Sequence, residues 1–321
     1  MQNQPQIAGS SLKTPVAGNK TFFQLLIRQR ALLLMSVPLL IWLFIFRYYP
    51  LWGWSMAFMN YRPGHKLTDQ HFVGFDQFKF MFTDDNFLQV LRNTLAMSFI
   101  SLVLGTCGAI ALAILLNELR KVAFKRVVQT ISYLPHFISW VVAANIISDA
   151  LSPDGGIINR IFVWLGLIKE PVMWLGVGHD FWTIFALSDL WKSIGWNTIV
   201  YLAAITTIDP SLYEAAEIDG AGRFKRIWHV TLPGMRSIII LLGILSIGNL
   251  MQNGFEAQWL LGNGMNIDYS QNLDVFVLKY GIQLGNFSLA TAAGMFKTVV
   301  SFILLFSANS LARRFGQERI F

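Results

Sequence analysis

Residues 207–233 read TIDPSLYEAAEIDGAGRFKRIWHVTLP and form a polar segment of mixed charge between two long apolar segments. Asp209 and the proline after it are typical of a helix start, because aspartate caps free backbone N–H groups and a proline in the first turn loses no hydrogen bond. Gly220 permits a sharp turn, so this helix is predicted to stop there. A second helix is predicted from Phe224 to Val230, ending at Pro233. On helix chemistry alone, an ordinary amphipathic surface loop fits equally well.

The same stretch resembles the EAA signature of the permease subunits of binding-protein-dependent ABC importers. That signature is Glu-Ala-Ala, three residues, Gly, nine residues and Ile-x-Leu-Pro, and here Val230 stands in place of the usual Ile. In the family this segment is the coupling helix that docks into a groove of the cytoplasmic ATPase. The resemblance therefore assigns ATPase coupling to Glu214, Ala215, Ala216, Asp219, Gly220, Gly222, Leu232 and Pro233.

Composition predicts that the chain lies in a lipid bilayer. Its 321 residues are 54% hydrophobic and only 13% charged, which is too apolar and too charge-poor for a typical soluble protein. The net charge of +7 comes from Lys and Arg residues that flank apolar runs and do not form one face, so a nucleic acid partner is excluded. Cys107 stands alone in an apolar run, which excludes a disulfide framework or a thiolate metal site and predicts a small buried residue.

Apolar runs of roughly 20 residues, the length that crosses a bilayer, recur along the chain. They cover residues 31–50, 93–117, 127–150, 181–205, 234–253 and 289–310. The predicted fold class is therefore all-α, a polytopic membrane protein with six transmembrane helices. Lys and Arg are more numerous in the segments on the same side as the N-terminus, which include 207–233. This bias predicts that both termini and the EAA segment are cytoplasmic.

The remaining segments complete the predicted domain organisation. Residues 1–20 are polar without a hydrophobic pattern and are predicted to be a disordered cytoplasmic tail. Residues 21–30 resemble an interfacial helix, and the permease domain is expected to cover 31–321. The first apolar run lacks a cleavage pattern and is expected to be retained. Three external segments are predicted. Residues 51–92 are expected to form a folded cap, residues 152–180 to contain a short interfacial stretch, and residues 254–288 to form a further loop.

No signature of an intrinsic nucleotide or catalytic site is found. Gly18 to Thr21 resembles the end of a phosphate loop but lacks the contiguous Gly-Lys-Thr, and no HExxH motif or nucleophile elbow is present. The chain is therefore predicted to be no enzyme and to hold no metal or cofactor, so the energy must come from another chain or a gradient. Under the ABC resemblance, ATP and Mg²⁺ bind to partner ATPase subunits.

Polar side chains inside the apolar runs mark a candidate substrate pathway, because they are costly in a bilayer unless they face a cavity or one another. Asp189, Lys192 and Trp196 are spaced to share one helix face, although Asp189 and Lys192 could instead form an ion pair. Pro135 predicts a bend beside His136, which is expected to pack and not to carry protons. The full candidate set is His136, Asn145, Asp189, Trp191, Lys192, Trp196, Asn249, Asn253 and Lys297.

Several members of this set have a second, structural interpretation. Amides such as Asn249 and Asn253 can bind sugar hydroxyls, but they also link membrane helices. Lys297 can face the pathway or extend to the membrane surface. Tryptophans can stack on sugar rings or form interfacial belts.

Beyond the EAA segment, EAAEIDGAG, RFKRIWHVTLP and SYLPHFISWVV resemble the carbohydrate branch of these importers. The resemblance implies a type I ABC importer permease fold in a bacterial inner membrane, a second homologous permease subunit, two ATPase subunits and an extracytoplasmic solute-binding protein. ATP-driven closure of the ATPases would move the coupling segments and switch the cavity between its two orientations. Lys192, Lys297 and His136 would suit a uronic-acid oligosaccharide such as one from alginate, as in the larger permease of an alginate importer. A gradient-driven secondary sugar transporter and a membrane scaffold or assembly protein remain as alternatives.

Overall fold

The computed structural model describes residues 29–314. The predicted disordered tail 1–20 and most of the predicted interfacial helix 21–30 therefore lie outside the described residues. Helices make up most of the described part, which confirms the predicted all-α class, and its strands form one small two-stranded sheet. Within this range, the residues up to Gly53 form one compact unit and those from Trp54 form a second.

The α-helices are α1 (Arg30–Leu43), α2 (Asp76–Thr83), α3 (Asp85–Glu118), α4 (Val122–Tyr133), α5 (Trp140–Leu151), α6 (Ile157–Trp164), α7 (Phe181–Thr206), α8 (Pro210–Ile218), α9 (Arg223–Arg226), α10 (Leu232–Gly234), α11 (Arg236–Gly248), α12 (Glu256–Leu261), α13 (Ile267–Ser270), α14 (Leu273–Leu278) and α15 (Phe287–Arg314). Shorter 3-10 helices cover Tyr49–Phe58, Leu67–Asp69, Leu134–Phe137, Trp174–Gly176 and Gly178–Asp180. Wider π-helical turns cover Phe44–Tyr48, Ile227–Thr231 and Lys279–Gln283. The strands β1 (Met59–Asn60) and β2 (His71–Phe72) pair antiparallel, with Met59 opposite Phe72.

By length and composition, three described helical stretches could cross a membrane: Arg30–Phe58, Asp85–Glu118 and Phe287–Arg314. Two bent pairs could each form a further span, Val122–Phe137 with Trp140–Leu151 at 107° and Arg223–Gly234 with Arg236–Gly248 at 60°. The helix α7 is 26 residues long and contains the predicted run 181–205, but charged and amide side chains lower its hydropathy. The predicted count of six spans requires α7 to cross as well.

The helices α3 and α7 form the most extensive helix contact of the described chain. Small residues on α3 allow this approach: a side chain at Gly108 would meet Leu190 at 2.9 Å, and Ala109 is fully buried. Thr198 on α7 donates to the Ala109 carbonyl at 3.3 Å. Small residues at a contact let membrane helices pack closely. This contact helps to position α7, which carries four of the nine pathway candidates, Asp189, Trp191, Lys192 and Trp196.

The predicted bend at Pro135 is a complete break between α4 and α5. Residues Leu134–Phe137 form a 3-10 turn, and Ser139 caps the start of α5, its hydroxyl accepting from the Val142 N–H at 3.4 Å. Gly195 of α7 lies against the Ser132 carbonyl so closely that a side chain there would overlap it. The break is therefore held against the middle of α7.

The segment 207–233 folds as two short helices joined by a glycine turn. Asp209 caps α8 by accepting from the Ser211 N–H at 2.9 Å, and Gly220 has φ +74°, where glycine is strongly favoured. The second helix, predicted to end at Pro233, runs through α9, the π turn and α10 to Gly234, one residue further. A wider turn placed just before a proline allows the helix to bend and continue.

The predicted external loop 254–288 is a folded segment with buried amides. Asn266 is fully buried and donates to the Leu175 carbonyl at 2.9 Å, while the fully buried Asn272 caps α14 by accepting from Val275 N–H at 2.9 Å. The prediction of a plain loop underestimated this segment, since its Asn residues pair with backbone groups and not with solvent.

Cys107 also differs from its prediction. Its side chain is exposed on the isolated chain and not buried. In a membrane protein an apolar exposed face is covered by lipid or by another subunit. An apolar sequence context therefore does not distinguish a buried residue from one on the lipid-facing or subunit-facing surface.

Candidate coupling segment and substrate pathway

The coupling candidate, residues 207–233, presents apolar side chains to the outside of the chain. Ile218 is 86% exposed, Phe224 88% and Trp228 69%. Exposed apolar groups of this size, clustered in one segment, mark an interaction surface. Glu214 and Ala215 are exposed in the same segment. The predicted coupling residues therefore lie beside a surface suited to docking.

The rest of the predicted coupling set lies in the same segment with varied exposure. Ala216 and Leu232 are half-buried. The others are exposed, namely Asp219, Gly220, Gly222 and Pro233.

Contacts across the glycine turn make this segment one unit. Tyr213 of α8 and Thr231 are joined by a 3.1 Å hydrogen bond between their hydroxyls, and Arg226 donates to Glu217 at 3.2 Å. Tyr213 also packs on an apolar cluster that includes Ile208 and Met235, between the end of α7 and the start of α11. The segment is therefore in direct contact with the end of α7 and the start of α11.

Electrostatics support the start of α8. The backbone N–H of Ser211 donates to the Asp209 carboxylate, and this hydrogen bond holds the pKa of Asp209 below its usual value. Asp209 is therefore ionised at neutral pH, when a negative charge near a helix N-terminus is favourable.

In the pathway set, Lys192 is held by the break between α4 and α5. Its Nζ donates to the His136 carbonyl at 3.0 Å and lies 5.5 Å from the centre of the Trp140 ring. Among the described residues, Lys192 and Asp189 do not approach within ion-pair distance of each other. The physical reason is the break, which leaves a carbonyl without a helical partner for the ammonium to satisfy.

His136 and Trp196 form the second part of this site. Their rings stack with centroids 4.6 Å apart and planes 3° from parallel, so His136 packs as expected. Trp196 remains 47% exposed and lines a cavity of about 160 Å³. The other lining residues were not predicted from the sequence; they include Thr106, Asn197, Tyr201 and Ser246. Asn197 was detectable as an amide within an apolar run, whereas isolated hydroxyl groups are too common in membrane helices to signal a site.

The remaining candidates do not join this cluster. Trp191 lines a separate, mostly apolar hollow of about 310 Å³, and Asn145 is exposed. Asn253 donates to Ser98 at 2.6 Å and Asn249 to its own helix at 3.1 Å, as expected for amides that link or cap helices. Lys297 forms an ion pair with Asp274.

The comparisons with known proteins are consistent along almost the whole chain. A model of the family described as "binding-protein-dependent transport system inner membrane component" matches residues 105–317. The polygalacturonan/rhamnogalacturonan transport system permease protein YteP of Bacillus subtilis (strain 168) is 42% identical over 296 residues, covering 92% of each chain.

Solved structures give the same result for the fold. A chain of a bacterial alginate ABC transporter, crystallised in complex with an alginate pentasaccharide-bound periplasmic protein, matches with TM-score 0.85 and 35% identity, covering 93% of this chain and 99% of that one. A chain of a bacterial ABC transporter involved in the import of the acidic polysaccharide alginate matches with TM-score 0.82 and 36% identity, covering 91% and 98%. These findings favour the importer over the gradient-driven transporter and the scaffold protein.

Proposed function

Because the chain belongs to the family of binding-protein-dependent transport system inner membrane components, we propose that it forms half of the membrane pathway for an acidic oligosaccharide. The chain is a multi-pass inner membrane protein and an oligosaccharide permease subunit of an ABC importer. The observation that carries the acidic substrate is the similarity, over more than nine-tenths of the chain, to chains of two alginate importer structures.

The proposed assembly contains a second homologous permease subunit, two ATPase subunits and an extracytoplasmic solute-binding protein. One of the similar structures includes a periplasmic protein with bound oligosaccharide, which supports the last of these partners. This chain contributes no ATP site in the proposal, since ATP and Mg²⁺ bind to the ATPase subunits. Both termini and residues 207–233 lie in the cytoplasm, in agreement with the distribution of Lys and Arg.

The coupling segment receives the force in this scheme. Ile218, Phe224 and Trp228 supply the apolar part of the docking surface, and the exposed Glu214 supplies an acidic group. ATP-driven closure of the ATPases displaces this surface. The bond between Tyr213 and Thr231 and the packing on α7 and α11 then carry the displacement toward the cavity.

Lys192 is the basic group best suited to an acidic substrate. Its ammonium is bound by a carbonyl, which carries no net charge, and among the described residues no carboxylate lies within ion-pair distance of it. The ammonium of Lys297, in contrast, is neutralised by Asp274. Trp196, next to the break that binds Lys192, offers a partly exposed indole on which a sugar ring can stack.

The test is the ATPase activity of the reconstituted complex with its binding protein, measured with acidic and with neutral oligosaccharides. Stimulation by acidic oligosaccharides and its loss in Lys192→Gln, but not in Lys192→Arg, is the expected result. Glutamine can still donate a hydrogen bond to the His136 carbonyl but carries no charge. Comparison of Lys192→Gln with Lys192→Arg therefore tests the positive charge separately from the hydrogen bond. If only neutral oligosaccharides stimulate the ATPase, the proposal of an acidic substrate is overturned. If no oligosaccharide stimulates it, the proposed assembly is overturned.

A further inference from the structure

A further cleft, of about 200 Å³, lies in the folded segment between α11 and α15. Its lining residues differ from those of the Trp196 cavity, and none of those that the structure describes is charged. The polar and aromatic ones are Gln258, Trp259, Asn263, Ser270 and Gln271. The cleft therefore offers amides, a hydroxyl and an indole, without an ion to bind a carboxylate.

Gln258 is the unusual residue of this cleft. It is 2% exposed, and neither its amide nitrogen nor its amide oxygen has a hydrogen-bond partner among the described residues. Buried polar side chains in native proteins are nearly always paired, so an amide with neither end satisfied needs an explanation. Asn266 and Asn272 of the same segment are fully buried and paired with backbone groups. The segment thus satisfies its structural amides and leaves Gln258 unsatisfied.

Trp259 stands next to this amide and remains 43% exposed. An indole combines a flat apolar face with low conformational freedom, and such a face can pack on the C–H groups of a sugar ring. Small-molecule sites typically join apolar or aromatic walls to a few placed polar groups. Trp259 with Gln258 and Gln271 matches this description for a ring that carries hydroxyls.

The cleft also has a defined place along the chain. The helix α12, which carries Gln258 and Trp259, packs against α5 through Ala257 and Leu261. It follows the far end of α11 from the coupling segment, so the proposed topology places it on the external side. The cleft is therefore close to the end at which a solute would enter.

We propose that this cleft is a second sugar subsite, which binds one neutral face of the oligosaccharide through the ring of Trp259 and hydroxyl contacts to Gln258. The inference rests on the proposed function and deepens it, because it separates recognition of sugar hydroxyls from recognition of carboxylates. A hydroxyl group can both accept from and donate to the Gln258 amide, so one ligand group can satisfy either of its ends.

The test uses the complete complex in nanodiscs, with Cys107→Ser and the reporter Gly264→Cys. Gly264 is exposed beside the cleft, and a side chain there meets no atom within 4 Å. A membrane-impermeant maleimide labels the reporter cysteine, and the labelling rate is measured at increasing concentrations of cellobiose or of a uronic-acid disaccharide. We expect both sugars to slow labelling. Trp259→Ala should abolish this protection, and Gln258→Leu should raise the half-protecting concentration roughly two- to tenfold, the equivalent of a neutral hydrogen bond.

Controls separate a subsite from a packing defect. Trp164, which is exposed in another segment, is replaced by alanine and should leave protection unchanged. If Gln258 is only a packing defect, Gln258→Leu will raise thermal stability without changing protection, and the subsite is overturned. Absence of protection by either disaccharide overturns it as well. In either case oligosaccharide-stimulated ATPase activity in the same preparation shows whether the proposed function itself still stands.

Discussion

The imidazole of His136 lies flat on the indole of Trp196, with ring centroids 4.6 Å apart. One residue belongs to the break after α4 and the other to the middle of α7, so the stack joins two elements that are far apart in the sequence. Because the Lys192 ammonium binds the carbonyl of the same histidine, this one residue contacts both the aromatic and the basic member of the candidate pathway.

The first prediction concerns this stack. Trp196→Ala should lower oligosaccharide-stimulated ATPase activity strongly, whereas Trp196→Phe should retain part of it, because a smaller ring still offers a face. Aromatic pairs contribute about 0.5–1.5 kcal/mol beyond burial. A double-mutant cycle of Trp196→Ala with His136→Ala, read by thermal unfolding, should give a coupling energy in that range. A coupling energy of zero would show that the stack does not stabilise the break.

The second prediction concerns the glycine turn of the coupling segment. Gly220 has φ +74°, so Gly220→Val should cost about 1–2 kcal/mol at the turn and should uncouple ATP hydrolysis from the solute. Gly166 is a matched control, because it has φ +71° and equally open surroundings in the segment before α7. Gly166→Val should strain its own turn to a similar extent and leave solute-stimulated ATPase activity intact. Normal stimulation in Gly220→Val would contradict the coupling role.

The third prediction concerns the ion pair of Lys297 and Asp274, whose side chains are 20% and 18% exposed. Asp274→Leu should destabilise the protein by roughly 3–5 kcal/mol, because it leaves a partly buried ammonium without its partner. The double variant Asp274→Leu with Lys297→Met should recover most of that loss. Thermal unfolding of the three variants in one detergent measures both effects. Equal stability of the single and double variants would mean that the pair is not coupled.

The fourth prediction is a pH dependence at the start of α8. The folded-state pKa of Asp209 lies below its ordinary value of 3.8, so the carboxylate stabilises the helix start above about pH 4. This contribution should be lost as the pH falls through the folded pKa, and it should be absent in Asp209→Leu. The mobility of a spin label at Leu212→Cys, which is exposed in the first turn, reports the effect. If the label mobility has the same pH dependence with Asp209 and with Asp209→Leu, the prediction is refuted.

Local chemistry made part of this structure predictable. The start of α8 and the turn at Gly220 follow from spacing within a few residues, and apolar length identifies the long helices. The partner of Lys192 is different, because it is a carbonyl 56 positions away that exists only where the chain breaks. Asp274 was missed for the same reason, since its partner lies on another helix. Neither the π turn before Pro233 nor the exposure of Cys107 follows from nearby residues.

The contact between Gly195 and the Ser132 carbonyl has a mechanical consequence. The helix α7 runs without interruption from Phe181 to Thr206, and the absence of a side chain at Gly195 lets the backbone of α4 rest directly on it. At 1.5 Å per residue, the part of α7 between this contact and Thr206 is roughly 16 Å long. Because α3 packs along the same helix, a displacement of Thr206 strains the contacts of α7 with both α3 and α4.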